Sequence, residues 1–370
     1  MGRNRFSLIA GFCGLSHGLP SRETRRGDGA VAETRLKLAR SEILSFRRQV
    51  GSLNLRLPWS QSSLRRAAWA GLQDSMPRAA LLSIHARVHG TRPWAWADSS
   101  LIQTWGPRFN VFVVPACDRA VFTLGTMPEN AKGRHRAEDL AQRLKALLKG
   151  EPMPYGEAGH ALGVHPNLLR YAAATGTILI RWEGARQPTV WTVPAPEMDI
   201  HEARLELARR YLHVYGPAAP EAFGTWAGIG GRHGIAAFEA LRGDLTPVRT
   251  PIGDGWILTR DVEAFRGDMG ASPPARLLPS GDPYLLLQGA DRELLIPDAE
   301  HRSALWTPRV WPGGLLVGGE IVGTWRRSDA TMTIQLWRRL TSIERDAVMA
   351  EAESLPLPGI EGRILVRWED

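Results

Sequence analysis

The chain has 370 residues, 44% hydrophobic and 23% charged, a composition typical of globular proteins and a length that predicts two or more domains. Its cysteines, Cys13 and Cys117, are too far apart to indicate a disulfide scaffold or a thiolate zinc site. No apolar run approaches the roughly 20 residues of a membrane-spanning helix.

The net charge is +8, but residues 1–40 hold eight Lys or Arg against three Asp or Glu. Because so much of the positive charge lies in this first segment, any nucleic-acid surface has to be a local patch. We expect a cytoplasmic protein with no membrane partner.

Residues 1–38 are predicted to lie outside the folded domains. The apolar run 6–15 follows Arg3 and Arg5, as in a short secretion signal. It lacks a clear small-x-small cleavage site, and the next residues are polar and rich in arginine. We interpret this segment as a disordered N-terminal extension or as the product of a misplaced start codon.

Residues 39–115 predict three helices and a closing strand. Apolar residues recur at helical spacing over 41–48, 61–73 and 76–88, and 110–114 is a short run of strand-forming residues. This order predicts a first winged-helix domain.

The segment 155–193 carries the clearest pattern in the chain. A first helix is broken at Gly163, and a second restarts with Pro166 at its first position, where the missing N–H costs nothing. Two strand-like runs, 177–182 and 189–193, flank a polar turn. This is the order of a winged helix, whose second helix lies in the major groove of DNA with the wing over the backbone. The alternative is an α+β fragment whose helices only pack a core.

A similar order of helices followed by a hairpin recurs over 201–259, which predicts a third winged helix. After the stretch 270–274 the chain changes to short strands with glycine-rich turns and one helix over 342–353. We therefore predict an α+β fold of tandem winged-helix domains followed by a small C-terminal β-barrel-like domain. The predicted boundaries are 1–38 for the extension, 39–115, 116–198 and 199–270 for the winged helices, and 271–370 for the C-terminal domain.

Five residues are candidate DNA contacts. Asn167 and Arg170 lie on the second helix of the central module, where Asn can pair with adenine and Arg with guanine, or both can contact phosphates. Arg186, in the predicted wing, is a candidate phosphate ligand. Trp325 and Arg326 lie on a strand and could stack on or clamp a nucleic-acid backbone, or pack at a sheet edge. The alternative for each is a solvated surface residue.

No motif in the sequence indicates a metal or another cofactor. The chain has no Walker loop, HExxH, GxSxG or dinucleotide fingerprint. His160 and His165 are five residues apart across a turn, which suits surface or capping roles better than a metal pair. We expect a protein that works without a cofactor.

Several short motifs occur in an order that no one of them specifies alone. They are 70–73 (Ala-Gly-Leu-Gln), 81–88, 208–212 (Ala-Arg-Arg-Tyr-Leu), 215–218 (Tyr-Gly-Pro-Ala), 277–279 (Leu-Leu-Pro), 282–284 (Asp-Pro-Tyr) and 322–326 (Val-Gly-Thr-Trp-Arg). In this order the chain resembles the AlkZ/YcaQ group of bacterial DNA glycosylases over about residues 40–368. The resemblance implies three tandem winged helices and a β-barrel, arranged as a C around DNA.

The same resemblance implies an activity and a site. Members of the group excise alkylated purines, and some unhook interstrand crosslinks, with a Gln-x-Gln or Gln-x-Asp motif in the active site. Gln73 matches the first glutamine of that motif. Ser75 stands at the second position and departs from both patterns, and Asp74 occupies a middle position that is usually apolar.

The chemistry of the reaction suggests what these three residues could do. A purine alkylated at N7 or N3 is cationic and leaves readily, so the protein has mainly to position water and stabilise an oxocarbenium-like sugar. Gln73 could hold the water, Ser75 could orient it, and Asp74 could act as general base if it points inward. In the alternative, Ser75 caps the following helix and Asp74 suits the positive end of that helix.

We therefore predict a monofunctional DNA glycosylase of DNA repair that removes bulky or crosslinked N-alkylpurines from double-stranded DNA, as a monomer and without metal. The alternative is a non-catalytic winged-helix DNA-binding protein, a regulator or repair accessory. A regulator usually needs a dimer that contacts paired half-sites, and the sequence offers no obvious dimer helix, which favours the enzyme.

Overall fold

Helices and short strands alternate along the chain, in agreement with the α+β prediction. The computed structural model describes residues 35–74, 78–184, 187–267, 274–359 and 363–369. Residues 35–370 form one compact unit, while the domain boundaries drawn from the sequence stay predictions. Among the described residues, no helix combines the length and the apolar character that a bilayer crossing requires.

The first part of the described chain contains the strand that bears Gln73. Its elements are β1 (Leu36–Lys37), α1 (Arg40–Val50), α2 (Gln61–Ala67), β2 (Leu72–Gln73), α3 (Ala79–Arg87), β3 (Leu101–Trp105) and β4 (Val111–Pro115). The prediction of a helix over 61–73 is wrong beyond Ala67. Gly71 adopts a left-handed conformation (φ +78°), and a Cβ atom there would lie 2.8 Å from the ring of Phe122. The chain leaves the helix here and forms β2, which pairs antiparallel with β4.

The central part has the order of helix, helix and hairpin that the sequence predicts for 155–193. Its elements are α4 (Arg119–Thr123), α5 (Ala131–Leu148), β5 (Met153–Pro154), α6 (Tyr155–Ala161), a 3-10 helix (Pro166–Thr175), β6 (Ile178–Arg181) and β7 (Thr189–Thr192). The strands of these two parts share one six-stranded sheet in the order β2-β4-β3-β6-β7-β5. Because Gln103 of β3 pairs with Ile180 of β6, the strand of Gln73 and the hairpin are parts of the same sheet.

The third part confirms the predicted helices and hairpin over 201–259. Its elements are α7 (Ile200–Tyr215), α8 (Pro220–Ala227), α9 (Gly231–Ala240), β8 (Leu245–Thr250), β9 (Gly253–Leu258) and α10 (Val262–Arg266). A pairing that the sequence did not predict joins this part to the start of the chain. β1 pairs in parallel with β8, and Phe46 of α1 stacks on Phe265 of α10 with ring centroids 3.8 Å apart.

The C-terminal part is an open sheet, and the predicted barrel is not formed by the described residues. Its elements are β10 (Arg276–Leu278), α11 (Asp291–Leu295), α12 (Ala299–Leu305), β11 (Gly313–Val317), β12 (Glu320–Ser328), β13 (Thr331–Leu336), α13 (Ser342–Glu353) and β14 (Leu365–Glu369). The strand order is β10-β11-β12-β13-β14, so β10 and β14 are edges. β14 runs parallel to β13 because α13 forms the crossover between them.

The largest core surrounds α7 and joins the parts of the chain that flank Gln73. Tyr211 and Tyr215 stack at 5.0 Å between ring centroids, and both pack against Trp226. The same apolar cluster contains Phe112 of β4 and Leu278 of β10. The strand next to Gln73 and the turn after β10 are therefore held by one core.

Candidate active site

Gln73 lies on a short strand at the wall of an open groove. It pairs with Phe112 of β4, and its side chain is half-buried. The groove has a volume of about 270 Å³. Its described lining residues are Gln73, Arg108, Asn110, Ser280, Leu286, Arg309, Val310 and Trp311, which include two arginines and no acidic side chain. The groove is therefore electropositive, as a site for a nucleic-acid backbone has to be.

The carboxamide of Gln73 is held from two sides. Nη2 of Arg108 donates a hydrogen bond to Oε1 of Gln73 at 3.3 Å. On the other side, Gly281 has φ +79°, and a Cβ atom built on it would lie 3.3 Å from Nε2 of Gln73. A glycine at this position allows the backbone to approach the amide closely.

The turn that carries Gly281 is fixed by a buried ion pair. The guanidinium of Arg87 on α3 binds both carboxylate oxygens of Asp282, at 2.7 and 2.8 Å. The exposed fraction is only 4% for the side chain of Arg87 and 0% for that of Asp282. The backbone N–H of Asp282 also donates to Pro279, which closes the turn. The segment 282–284, which the sequence analysis selected as a motif, thus holds Gly281 against Gln73.

Asp74 directly follows β2, and its side chain is buried on the side away from the groove, since side chains of successive extended residues alternate in direction. Only 1% of the residue is exposed. Its carboxylate accepts hydrogen bonds from the backbone N–H of Ala80, at 3.0 Å, and from Nε2 of Gln103, at 2.8 Å. Burial raises the pKa of Asp74 to about 6, although the hydrogen bond from Ala80 and the charge of Arg78 oppose this rise.

These contacts give Asp74 a structural position. Ala80 is the second residue of α3, so the carboxylate serves a free N–H at the positive end of that helix. Asp74 does not line the groove, and its place agrees with the helix-end alternative rather than with a general base. Ser75 lies outside the described residues.

Gln103 links Asp74 to the central hairpin. While its Nε2 donates to Asp74, its Oε1 accepts a hydrogen bond from the backbone N–H of Trp182 at 2.8 Å. Trp182 follows β6, at the start of the predicted wing. The strand of Gln73 is therefore connected to the hairpin by side-chain hydrogen bonds as well as by the shared sheet.

The predicted DNA contacts on the central module lie away from the groove. Asn167 is exposed, and its Oδ1 accepts a hydrogen bond from Nη2 of Arg170 at 2.8 Å. Neither residue lines the groove with Gln73. Arg186 lies outside the described residues.

Trp325 and Arg326, the remaining predicted contacts, have different surroundings. Trp325 is 6% exposed in the core of the C-terminal sheet, where its Nε1 donates to the carbonyl of Leu278 at 2.9 Å. This burial agrees with the packing alternative for Trp325 rather than with a ring that stacks on nucleic acid. Arg326 is exposed and donates to the carbonyl of Val310 at 3.0 Å, so it supports the rim of the groove.

The structure adds three groove residues that the sequence analysis missed. Arg108 and Arg309 carry the positive charge of the groove, and Trp311 is a half-buried ring in its wall. The guanidinium carbon of Arg292 lies 5.4 Å from the ring centroid of Trp311 and adds a further cation nearby. No periodic pattern marks these residues. The turn at 106–110, with Gly-Pro before Arg108, was the one available signal.

Within the described parts of the chain, no group of three or more His, Cys, Asp or Glu side chains is placed to bind a metal ion.

The chain is similar to known proteins in both sequence and fold. The family described as DNA glycosylase AlkZ-like matches residues 66–356, more than half of the chain. The chain is also similar to the solved structure of Streptomyces sahachiroi DNA glycosylase AlkZ, with a TM-score of 0.74 and 20% identity, over 90% of this chain and 100% of that one. At that identity the structural likeness supports the fold alone. No curated protein matches the sequence.

Proposed function

Because the chain belongs to the DNA glycosylase AlkZ-like family, we propose that it hydrolyses the N-glycosidic bond of bulky or crosslinked N-alkylpurines in double-stranded DNA. The observation that carries this proposal is the placement of Gln73. It is the one residue of the expected motif that the structure describes in the groove, and it lies there between a guanidinium and a glycine turn.

The proposed reaction needs little acid catalysis from the protein, because the leaving base is already cationic. In a purine alkylated at N7 or N3, the C1′–N9 bond breaks and its electron pair neutralises the cationic base. A water oxygen then bonds to C1′, and its proton passes to solvent. Oε1 of Gln73 accepts a hydrogen bond from that water, which directs a lone pair of the water oxygen toward C1′. The amide dipole also stabilises the positive charge that develops on the sugar.

The cations of the groove suit the DNA backbone better than the reacting centre. A cationic base and an oxocarbenium-like sugar repel a guanidinium, so Arg108 and Arg309 are best matched by phosphates on either side of the lesion. The proposal therefore places the duplex backbone along the groove, with the damaged nucleotide at Gln73.

Two further features favour a monofunctional enzyme for large lesions. A lyase step needs an amine nucleophile, and the four lysines of the chain, Lys37, Lys132, Lys145 and Lys149, all lie outside the groove. The rim residues Arg309 and Val310 are exposed, so the groove opens to solvent. An open groove accepts a crosslinked base without full extrusion, which a closed base-flipping pocket does not.

A lesion panel tests the proposal. Duplexes that carry 7-methylguanine, a bulky N7-guanine adduct or a nitrogen-mustard crosslink are incubated with the wild type and with Gln73→Ala, and abasic sites are scored by alkaline cleavage. We expect abasic sites in all three duplexes with the wild type. Product from 7-methylguanine alone would remove the bulky-lesion part of the proposal. No product above the Gln73→Ala level in any duplex would leave a non-catalytic DNA-binding protein.

A further inference from the structure

A turn beside Gln73 adopts a backbone conformation that its residues rarely take. Arg108 has φ 55° and Phe109 has φ 57°, two consecutive residues in the left-handed region, and neither is glycine. Bulky side chains populate this region seldom, and such positions persist where the surrounding structure enforces them, often at functional sites. The strained conformation therefore points to a role for the side chains of Arg108 and Phe109.

Separate parts of the chain enforce the turn. The backbone N–H of Gly106 donates to the carbonyl of Asn110 at 2.9 Å. The ring of Phe109 packs edge-on against Tyr171, with centroids 4.6 Å apart. Gly228, at the end of α8, approaches so closely that a Cβ atom there would lie 3.0 Å from the backbone nitrogen of Arg108. Arg108 is thus fixed by contacts from both the central and the third parts of the fold.

The guanidinium of Arg108 is a cation without a counter-ion in the described protein. No carboxylate oxygen of the described residues lies within ion-pair distance of it, and its buried Nε has no hydrogen-bond partner there. Burial lowers the pKa of Arg108, and Arg292 nearby is a second cation. A half-buried charge without a counter-ion is unfavourable, so this guanidinium is suited to an anion that arrives with the ligand.

Arginine also determines which end of the Gln73 amide faces it. A guanidinium has five N–H donors and no acceptor, so it can bind the carboxamide oxygen but not its NH₂ group. The observed bond from Nη2 to Oε1 follows this rule. Rotation of the amide by half a turn would oppose donor to donor, and Arg108 therefore favours a single orientation of Gln73.

We infer that Arg108 is a positioning residue of this site, which orients the carboxamide of Gln73 and takes its counter-charge from a phosphate of the bound DNA. The inference rests on the proposed function and deepens it, because it couples engagement of the backbone to the geometry of the reacting amide. Arg309 lines the same groove and is exposed, but no contact joins it to Gln73. It is the matched control.

A double-mutant cycle tests the inference on a 7-methylguanine duplex. Single-turnover excision at saturating enzyme is measured for the wild type, Arg108→Ala, Gln73→Ala and the double variant. We expect Arg108→Ala to slow excision about tenfold or more when Gln73 is present, and about twofold or less when Gln73 is absent. The same cycle with Arg309→Ala in place of Arg108→Ala should be additive, so that Arg309→Ala changes the rate by the same factor with and without Gln73.

Salt dependence of duplex binding tests the phosphate contact. Arg108→Ala reduces the slope of log affinity against log salt by about one, and Arg108→Lys restores that slope. If Arg108→Ala does not fold, as judged by circular dichroism, Arg108→Gln carries both tests, since it removes the charge and can present an acceptor to the amide.

Three results would overturn the inference. An equal rate loss from Arg108→Ala with and without Gln73 shows that the two residues act independently. A slope of log affinity against log salt that is the same for Arg108→Ala and the wild type shows that Arg108 does not contact a phosphate. A wild type that releases no base from any lesion overturns the proposed function, and this inference with it, whereas an active wild type with an additive cycle overturns the inference alone.

Discussion

Replacing Asp74 with asparagine removes a buried ionisation that makes the stability of the protein depend on pH. In the fold, the pKa of Asp74 rises from its ordinary 3.8 to about 6, mainly because the carboxylate is buried. A carboxyl group with a raised pKa binds more protons in the folded state than in the unfolded state between these two values. Its favourable contribution is therefore complete below about 3.8 and is lost as the pH rises through about 6.

The magnitude follows from the two pKa values. Each pKa unit corresponds to about 1.4 kcal/mol, so ionisation of Asp74 lowers the free energy of unfolding by about 3 kcal/mol at pH 7. Asparagine has nearly the shape of the protonated acid and does not ionise. The free energy of unfolding of Asp74→Asn, relative to the wild type, should therefore rise by about 2 to 3 kcal/mol between pH 4 and pH 7.

Urea unfolding at pH 4, 5, 6 and 7 measures this difference. Any constant effect of the new amide on Gln103 cancels, because only the change with pH is compared. Asp291, another acid whose pKa burial raises to about 6, is present in both proteins and cancels as well. Asp346→Asn, at an exposed position, is the control and should run parallel to the wild type. Parallel profiles for Asp74→Asn would refute the placement of an ionisable Asp74 in the core.

Three further outcomes follow from the same contacts. Gly281→Ala should slow excision about tenfold, because its Cβ would lie 3.3 Å from Nε2 of Gln73 at φ +79°, and an unaltered single-turnover rate would argue against the clamp on the amide. Arg87→Met should lower the free energy of unfolding in urea by about 3 to 5 kcal/mol, since it strands the buried Asp282; a loss below about 1 kcal/mol contradicts this. Trp325→Phe should leave duplex affinity unchanged in a gel-shift titration, and a severalfold loss would restore the stacking role.

Local sequence patterns predicted many of the helices and strands. Pro166 begins its helix as predicted, and the helices and strands over 201–259 lie where apolar spacing and β-branched runs indicated. Errors arose where distant contacts decide the local conformation. The helix after Ala67 ends because Gly71 packs on two aromatic rings from β4 and α4. β1 forms because its backbone pairs with the edge of β8. Neither partner is visible in a short window of sequence.

The candidate site also contains residues that a local motif identified and residues that only distant packing brings together. Gln73 came from a motif in one stretch of chain, and it lies in the groove. Its neighbours Arg108 and Gly281 are far away in sequence, and only the packing of α7, β4 and β10 in one core brings them to the amide. For Asp74, the sequence left a catalytic and a helix-end role open, and the hydrogen bond from Ala80 favours the second. Composition and spacing cannot tell which of two adjacent extended residues, Gln73 or Asp74, faces the groove.

The role of Gln73 can be measured against that of a second glutamine. Single-turnover release of 7-methylguanine from a duplex is measured for the wild type, for Gln73→Ala and for Gln142→Ala, an exposed glutamine on α5 outside the groove. If Gln73 positions the water, Gln142→Ala matches the wild type within about twofold, while Gln73→Ala is slower by about 100-fold. Release by Gln73→Ala at the wild-type rate, or no release by any of the three proteins, would contradict this role of Gln73.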